Sequence, residues 1–302
     1  MRVLMTGATG FIGSRVAVRL SEQGHTVVAA VRDAAAADRL KTHRVPASPL
    51  IASLDERGRL ADAARDCDGV VHLAFELAPD IATAVARDQA VVAAFASALR
   101  NTGRPLVVTS ATGLLGNTGS TPVDEDHPPQ EDFRLAIRHR VEADVLAEAA
   151  KGVRASVIRV PILVHTAEGG GPLGRLLATA RRTGRSCWIG AGENRLPCVH
   201  LEDLADLYVR ALEAAPPGRV YNACGSDISL RDFAEGVGRA LGVPAQGLMP
   251  EQAVDQFGPF FATLLAVDNR VSNARARSEL GWEPYRSRPS LEADLAVLGR
   301  GS

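Results

Sequence analysis

The sequence predicts an α/β protein: a doubly wound parallel sheet followed by a smaller C-terminal lobe. Three observations carry this. Short Val- and Leu-rich runs alternate with longer Ala-rich helical segments over the first 160 residues. A glycine-rich turn, Thr6-Gly7-Ala8-Thr9-Gly10-Phe11-Ile12-Gly13, joins the first run to the first helical segment. After Pro161 the alternation loosens, and glycine, proline and aromatic residues enter the pattern.

Taken in order, Arg2–Met5, Thr26–Val31, Gly69–Leu73, Pro105–Thr109 and Ala155–Val160 are short apolar runs, the pattern of strands buried on both faces. Phe11–Gln23, Glu56–Arg65, Ile81–Arg100 and Glu131–Ala150 have helical spacing, and the alanine run Ala34–Ala37 is a short helix or turn. Gly24, Gly103 and Gly152 each follow a helical segment, where a left-handed residue ends the helix. Such alternation winds into a parallel sheet with right-handed crossovers. Beyond it, Glu168–Pro172 is a glycine-rich loop. Leu173–Thr183, Asp203–Ala214 and Leu230–Leu241 are helices, and Arg219–Cys224 is a short strand.

Composition bounds the function. The chain has 302 residues, 46% hydrophobic and 23% charged, as in an ordinary globular protein. A formal net charge of −1 supplies no field for nucleic acid or an anionic membrane. The longest apolar run, Ala90–Leu99, is about half of a membrane span. Cys67, Cys187, Cys198 and Cys224 show neither a CxxC pair nor ligand spacing, so they are expected as reduced, buried small hydrophobes without a metal. No signal-peptide pattern precedes the first strand. The expectation is a cytoplasmic protein acting on a small molecule, with no nucleic-acid or membrane partner.

The glycine turn carries the chemistry. One glycine makes the tight turn, another admits a pyrophosphate close to the backbone, and a third lets the helix pack on the strand. The helix N-terminus then presents N–H groups to phosphate. Gly7, Thr9, Gly10, Phe11, Ile12 and Gly13 are therefore candidate cofactor contacts in a Rossmann-type site. About twenty residues on, an acid would favour NAD through the ribose hydroxyls, and an arginine would favour a 2′-phosphate. Val31 stands where the acid belongs, and Arg32 follows it, with Arg15 near enough to assist. NADPH (NADP) is thus the expected cofactor. Asp33 speaks for NAD, the less favoured alternative. The chain then divides into a dinucleotide-binding domain, 1–170 with 195–228 returning to it, and a substrate lobe, 171–194 and 229–302.

The whole chain resembles the extended branch of the short-chain dehydrogenase/reductase family, the NAD-dependent epimerase/dehydratase-like group. The resemblance is carried by Thr6–Gly13, Val70-Val71-His72-Leu73-Ala74, Val108-Thr109-Ser110 and Arg159-Val160-Pro161. Further on, Val199-His200-Leu201-Glu202-Asp203, Tyr221-Asn222-Ala223 and Leu280-Gly281-Trp282-Glu283-Pro284 continue it. It implies that Leu73, Ala74 and Phe75 border the cofactor and that Pro161 meets the nicotinamide carboxamide. It also implies a homodimer through Ile81–Arg100 and Glu131–Ala150.

The family's Tyr-x-x-x-Lys pair is missing, which places the chain with an atypical subgroup. Tyr208, Tyr221 and Tyr285 are followed four residues on by Leu212, Gly225 and Pro289, and the two lysines are Lys41 and Lys151. Matching Glu142 to the glutamate four residues beyond the family's lysine places Arg134 for the tyrosine and Arg138 for the lysine. On one helix the two would share a face one turn apart. The family's hydroxyl position holds Ala111, leaving Thr112 or Ser110 to supply one.

Arginine is a poor proton donor at neutral pH but stabilises an oxyanion or clamps a carboxylate. Reduction of an iminium or a polarised alkene therefore suits the site better than oxidation of a plain alcohol. His165, beyond the sixth strand, is the candidate proton relay. His72 is read as a core residue and His200 as structural. Cys187-Trp188 and Phe257–Phe261 are candidates to line a ligand pocket. The leading expectation is an NADPH-dependent oxidoreductase acting on a small organic substrate of secondary metabolism. A redox sensor without turnover and a redox-neutral epimerase or lyase remain open alternatives.

Overall fold

The computed structural model describes residues 1–76, 80–133, 135–287 and 290–300, with the backbone alone at 290, 299 and 300. Its first part runs β1 (Arg2–Thr6), α1 (Phe11–Glu22), β2 (Thr26–Val31), α2 (Ala34–Thr42), β3 (Ala47–Ile51), α3 (Arg57–Arg65), β4 (Gly69–His72), α4 (Ile81–Leu99), β5 (Pro105–Ala111), α5 (His139–Ala147) and β6 (Arg154–Val160). There follow β7 (Leu163–His165), α6 (Gly171–Thr183), β8 (Ser186–Ile189), β9 (Arg195–His200), α7 (Leu201–Ala214), β10 (Arg219–Asn222), β11 (Ser226–Ser229) and α8 (Leu230–Leu241). The last elements are β12 (Ala245–Leu248), α9 (Pro250–Phe257), α10 (Pro259–Ala266), α11 (Ala274–Leu280) and α12 (Ser290–Arg300).

Seven strands form one sheet in the order β10-β6-β5-β4-β1-β2-β3, and every neighbouring pair is parallel. Strand order reverses between β1 and β4, so the loops after these two strands open on a shared crevice, where doubly wound sheets bind ligands. One sheet face is covered by α1 and α7, whose Val16, Leu20, Leu204 and Tyr208 are buried together with Trp282 from the tail. The other face is covered by α3, α4 and α5 through Leu60, Val85, Phe95, Val141 and Val145. Burial on both faces explains why the central strands read as unbroken apolar runs.

The smaller lobe carries a three-stranded sheet, β11-β9-β7, and the two-stranded β12-β8. Leu173, Leu177, Phe233, Val237, Leu265 and Leu295 fill its core. Of the segment 195–228, only β10 joins the seven-stranded sheet; β9 pairs with β7 and β11. Helix α10, Pro-Phe-Phe-Ala-Thr-Leu-Leu-Ala, is strongly apolar because it lies between the lobes, with Thr263 on its exposed side. Its Phe260 and Leu264 pack on the α4/α5 core, while Phe261 and Leu265 pack on the lobe core.

Two expectations change. β3 has no apolar run because it is an edge strand: it contains Pro49, and most of it is only partly covered. The segment 131–150 is not one helix. Short 3₁₀ turns at Ala136–Arg138 and Glu148–Lys151 flank α5, and Ala136 N–H and Arg138 N–H bond three residues back, to Phe133 and Leu135. Phe133, Leu135 and Ile137 all turn toward the same core. That period of two an α-helix cannot satisfy.

Candidate functional site

The phosphate cradle is built by close backbone packing. Gly7 has φ +76°, and a Cβ there would lie 2.9 Å from Ala74 N. A Cβ at Gly13 would lie 2.0 Å from the Gly7 carbonyl oxygen, so α1 presses directly on the turn. Gly10, the residue before α1, offers no capping side chain. The leading N–H groups of α1, at Phe11, Ile12 and Gly13, therefore face outward without a side-chain acceptor, as an anion site requires. Two cavities of about 430 Å³ flank this turn. One runs from Thr6, Gly7 and Thr9 past Ala74 to Val31, Arg32 and Ser53. The other lies along Thr9, Gly10, Phe11 and Ser14 to Glu168 and Gly169. Thr9 and Arg39 border both.

At the far end of the first cavity the charged groups are Arg32, Arg39, Arg87 and Glu76. Arg32 is exposed and reaches Asp33 at 3.5 Å and Glu76 at 3.6 Å. Arg87 clamps Asp55 and also pairs with Glu76. The Arg39 guanidinium forms no ion pair or hydrogen bond among the described residues. Asp33, which spoke for NAD, accepts the Ala36 N–H at 2.6 Å as the cap of α2. Arg15 is not free to assist, because it pairs with Glu202 at 2.5 Å and with Glu22 at 3.3 Å. Sequence reasoning missed Arg39. Its signal was a helix running past the alanine run, which Asp33 as N-cap announces.

At the other end of the crevice, a buried polar chain begins at the glycine turn. Thr6 Oγ1 accepts the N–H groups of Leu73 and Ala74 at 3.2 and 3.1 Å and lies 2.7 Å from His72 Nδ1. With both lone pairs taken, the hydroxyl donates to Nδ1, which leaves the proton of the imidazole on Nε2. Nε2 then donates to Asp88 Oδ1 at 2.9 Å. His72 is thus a bonded interior residue, as its place in a buried strand suggested. Arg138 stands beyond: Nη2 donates to the Thr109 carbonyl at 3.2 Å, lies 3.7 Å from Asp88 Oδ2, and the guanidinium rests 3.8 Å over the Phe75 ring. Burial pulls Arg138 below the usual arginine range, and the Asp88 charge opposes that shift.

The remaining candidates are dispersed. Arg134 lies outside the described residues; Arg138 ends the short 3₁₀ turn that precedes α5. Ser110 is buried with its hydroxyl lacking a partner in hydrogen-bond geometry, although it sits close enough to help hold Glu142 ionised. Thr112 is buried and offers its carbonyl to Asn269 at 3.1 Å. Pro161 is buried between β6 and β7. His165 is fully enclosed rather than at an open edge. Its Nδ1 pairs with Asp294 at 2.7 Å, and burial lowers its basicity against the pull of Asp294. Cys187 and Phe257 belong to the lobe core, where they border a small cavity of about 10 Å³, and Trp188 is covered by Arg231. All four cysteines are free and buried. A cavity of about 900 Å³ lies elsewhere, among β11, α8 and α12.

A model of the NAD dependent epimerase/dehydratase family matches residues 3–224. The chain belongs to that family. The member described here is 36% identical, over 98% of both chains, to an uncharacterised protein of Schizosaccharomyces pombe. It is 28% identical to the 4-hydroxy-2-methyl-3-oxo-4-farnesyl-3,4-dihydroquinoline-1-oxide ketoreductase of Stigmatella aurantiaca, over 99% of this chain and 87% of that one. A UDP-glucose-4-epimerase from Stenotrophomonas maltophila, solved with bound NAD and formylated UDP-arabinopyranose, shares the fold. Its TM-score is 0.78 at 21% identity, covering 100% of this chain and 98% of that one. The chain is thus a member of an NAD(P)-binding Rossmann family, and its glycine turn is the candidate cradle. Among the described residues no helix is long and apolar enough to cross a membrane.

Proposed function

We propose that the chain is an NADPH-dependent reductase of a small organic substrate, with arginine in place of the family's tyrosine and lysine. The observation that carries the cofactor choice is the charge at the adenosine end of the first cavity. Three arginines and one glutamate border it, and Arg39 has no ion-pair partner among the described residues. The neighbouring carboxylate of Asp33 is committed to capping α2. A 2′-phosphate suits that surroundings better than two ribose hydroxyls. The cradle fits the group: only glycine fits at position 13, and the α1 N-terminus is uncapped.

The bound cofactor supplies a hydride. Arg138, desolvated and cationic, fixes the nicotinamide ribose or stabilises negative charge developing on the acceptor. Arg134 is proposed for the second of these tasks from its place in the sequence. Neither arginine gives up a proton near neutral pH, and His165 is sealed in the interior, so the proton comes from solvent. Acceptors with a C=N or a polarised C=C bond suit this arrangement, and the ketoreductase relative adds C=O compounds to the panel.

Calorimetry with NADPH, NADP, NADH and NAD tests the reading, followed by reduced-cofactor absorbance with ketones, enones and imines. NADPH is expected to bind at least tenfold more tightly than NADH. Arg39→Ala should erase most of that difference, since a hydrogen bond to a charged group contributes about 1.5–3 kcal/mol. Tighter binding of NADH than of NADPH would overturn the cofactor assignment.

A further inference from the structure

We propose that Asp88 is a positioning residue: its carboxylate, aimed by His72, is the counter-charge that holds the Arg138 guanidinium at the nicotinamide end of the crevice. The inference rests on the reading above that Arg138 faces the cofactor. Asp88 sits on α4, whose inner face brings it beneath the end of β4. The direction of its carboxylate is determined by a rigid neighbour. His72 has both ring nitrogens engaged, one on Thr6 and one on Asp88 Oδ1, and its ring packs edge-on against Phe95 at 5.5 Å. Thr6 in turn is tied to the backbone of Leu73 and Ala74. The imidazole cannot turn without breaking this chain, so Oδ1 stays anchored and Oδ2 points away from it.

What Oδ2 meets is Arg138. The oxygen is enclosed and has no hydrogen-bond partner, and Arg138 Nη2 is 3.7 Å away. A buried guanidinium without a counter-ion is strongly unfavourable, and among the described residues Asp88 is the carboxylate paired with it. Burial lowers the basicity of Arg138, and among the opposing charges that of Asp88 acts most strongly. At this separation the pair is in ionic contact without a hydrogen bond. Asp88 therefore supplies charge without occupying every guanidinium donor: Nη2 serves the Thr109 carbonyl, Nε is enclosed, and Nη1 makes no hydrogen bond among the described residues. An arm held by charge, by one carbonyl and by the Phe75 face retains N–H groups for a ribose hydroxyl or an acceptor oxygen. The chain starts at Thr6, the residue before Gly7, so the phosphate cradle and the Arg138 arm share one buried scaffold.

The test is a fluorescence titration of NADPH on the full chain for Arg138→Ala, Asp88→Asn and the double variant. Asp88→Asn keeps the side-chain volume and an acceptor for His72; Asp88→Ser is the smaller neutral variant that guards against a folding artefact, and melting curves accompany each. Both Asp88 variants and Arg138→Ala are expected to weaken NADPH about tenfold, and the double variant no further than Arg138→Ala alone. In ¹⁵N spectra of arginine-labelled protein, the Nε–H signal lost in Arg138→Ala should exchange more rapidly with solvent in Asp88→Asn. Wild-type affinity in both Asp88 variants, or a double variant weakened about a hundredfold, would overturn the positioning role and leave the cofactor reading standing. Wild-type affinity in Arg138→Ala would instead remove the contact between Arg138 and cofactor, and this inference with it.

Discussion

At the residue scale, the site is governed by a few positions that tolerate almost no change. Gly13 is one: an added methyl would collide with the Gly7 carbonyl oxygen at 2.0 Å. Gly13→Ala should cost about 1–3 kcal/mol through overpacking and abolish measurable NADPH binding, read by urea unfolding and calorimetry. Glu142 is another. It lies under β6, where Arg159 donates to it from Nε and Nη2 at 3.0 and 2.7 Å. Burial alone would raise its pKa, but hydrogen bonds from His139 and Arg159 and the Arg159 charge bring it down from 4.5 to about 2. A depressed carboxyl stabilises the fold above its unfolded pKa and loses that contribution as pH falls through the folded one. Stability should therefore drop by about 3 kcal/mol between pH 4.5 and 2 on account of this group. Denaturant midpoints across that range should fall less steeply in Glu142→Gln; equal slopes would exclude Glu142 as the cause.

At the element scale, α2 determines how the adenosine end is read. Its first turn has an alanine run with little to bury, so the Asp33 cap and the inward Ala36, Ala37 and Leu40 hold it in place. That cap places Arg39 over the glycine turn and withdraws Asp33 from the ribose. Asp33→Ala should cost about 1 kcal/mol in stability, the usual value of an N-cap, without lowering affinity for NADH. A loss of NADH affinity in that variant would mean that the carboxylate serves the ribose after all. The Glu168–Pro172 loop shows a related economy of side chains: a Cβ at Gly170 or Gly171 would lie 2.8 or 2.6 Å from the Phe11 ring. Gly171→Ala should disturb Phe11, and with it the second cavity, more than it disturbs overall stability. NADPH affinity set beside the melting temperature measures this.

At the scale of the whole molecule, the C-terminal part is bound to both faces of the large sheet. Trp282 is fully buried in the α1/α7 core and donates to the Asp203 carbonyl at 2.8 Å, while Phe260 and Leu264 of α10 reach the opposite core. The two lobes are therefore expected to unfold together, and scanning calorimetry should show one transition. Trp282→Ala should lower the stability of the entire chain by about 3–5 kcal/mol. Two resolved transitions, with only the smaller one moved by Trp282→Ala, would refute that coupling.

What was legible in the sequence follows from local physics. Apolar runs buried on two faces identify β1, β2, β4, β5 and β6, and glycines at fixed spacing identify the phosphate turn, because strand burial and tight turns restrict residue type position by position. The missing Tyr-x-x-x-Lys pair is equally a property of the letters alone. Only the tertiary structure decided that Asp33 caps a helix, that Arg15 is tied to Glu202, that the Arg39 side chain has no ion pair among the described residues, and that His165 is sealed against Asp294. It also decided that Arg138 faces Asp88, 50 residues earlier in the chain. Each depends on which distant charge or donor a side chain meets once folded, and such partners leave no local period or propensity to read.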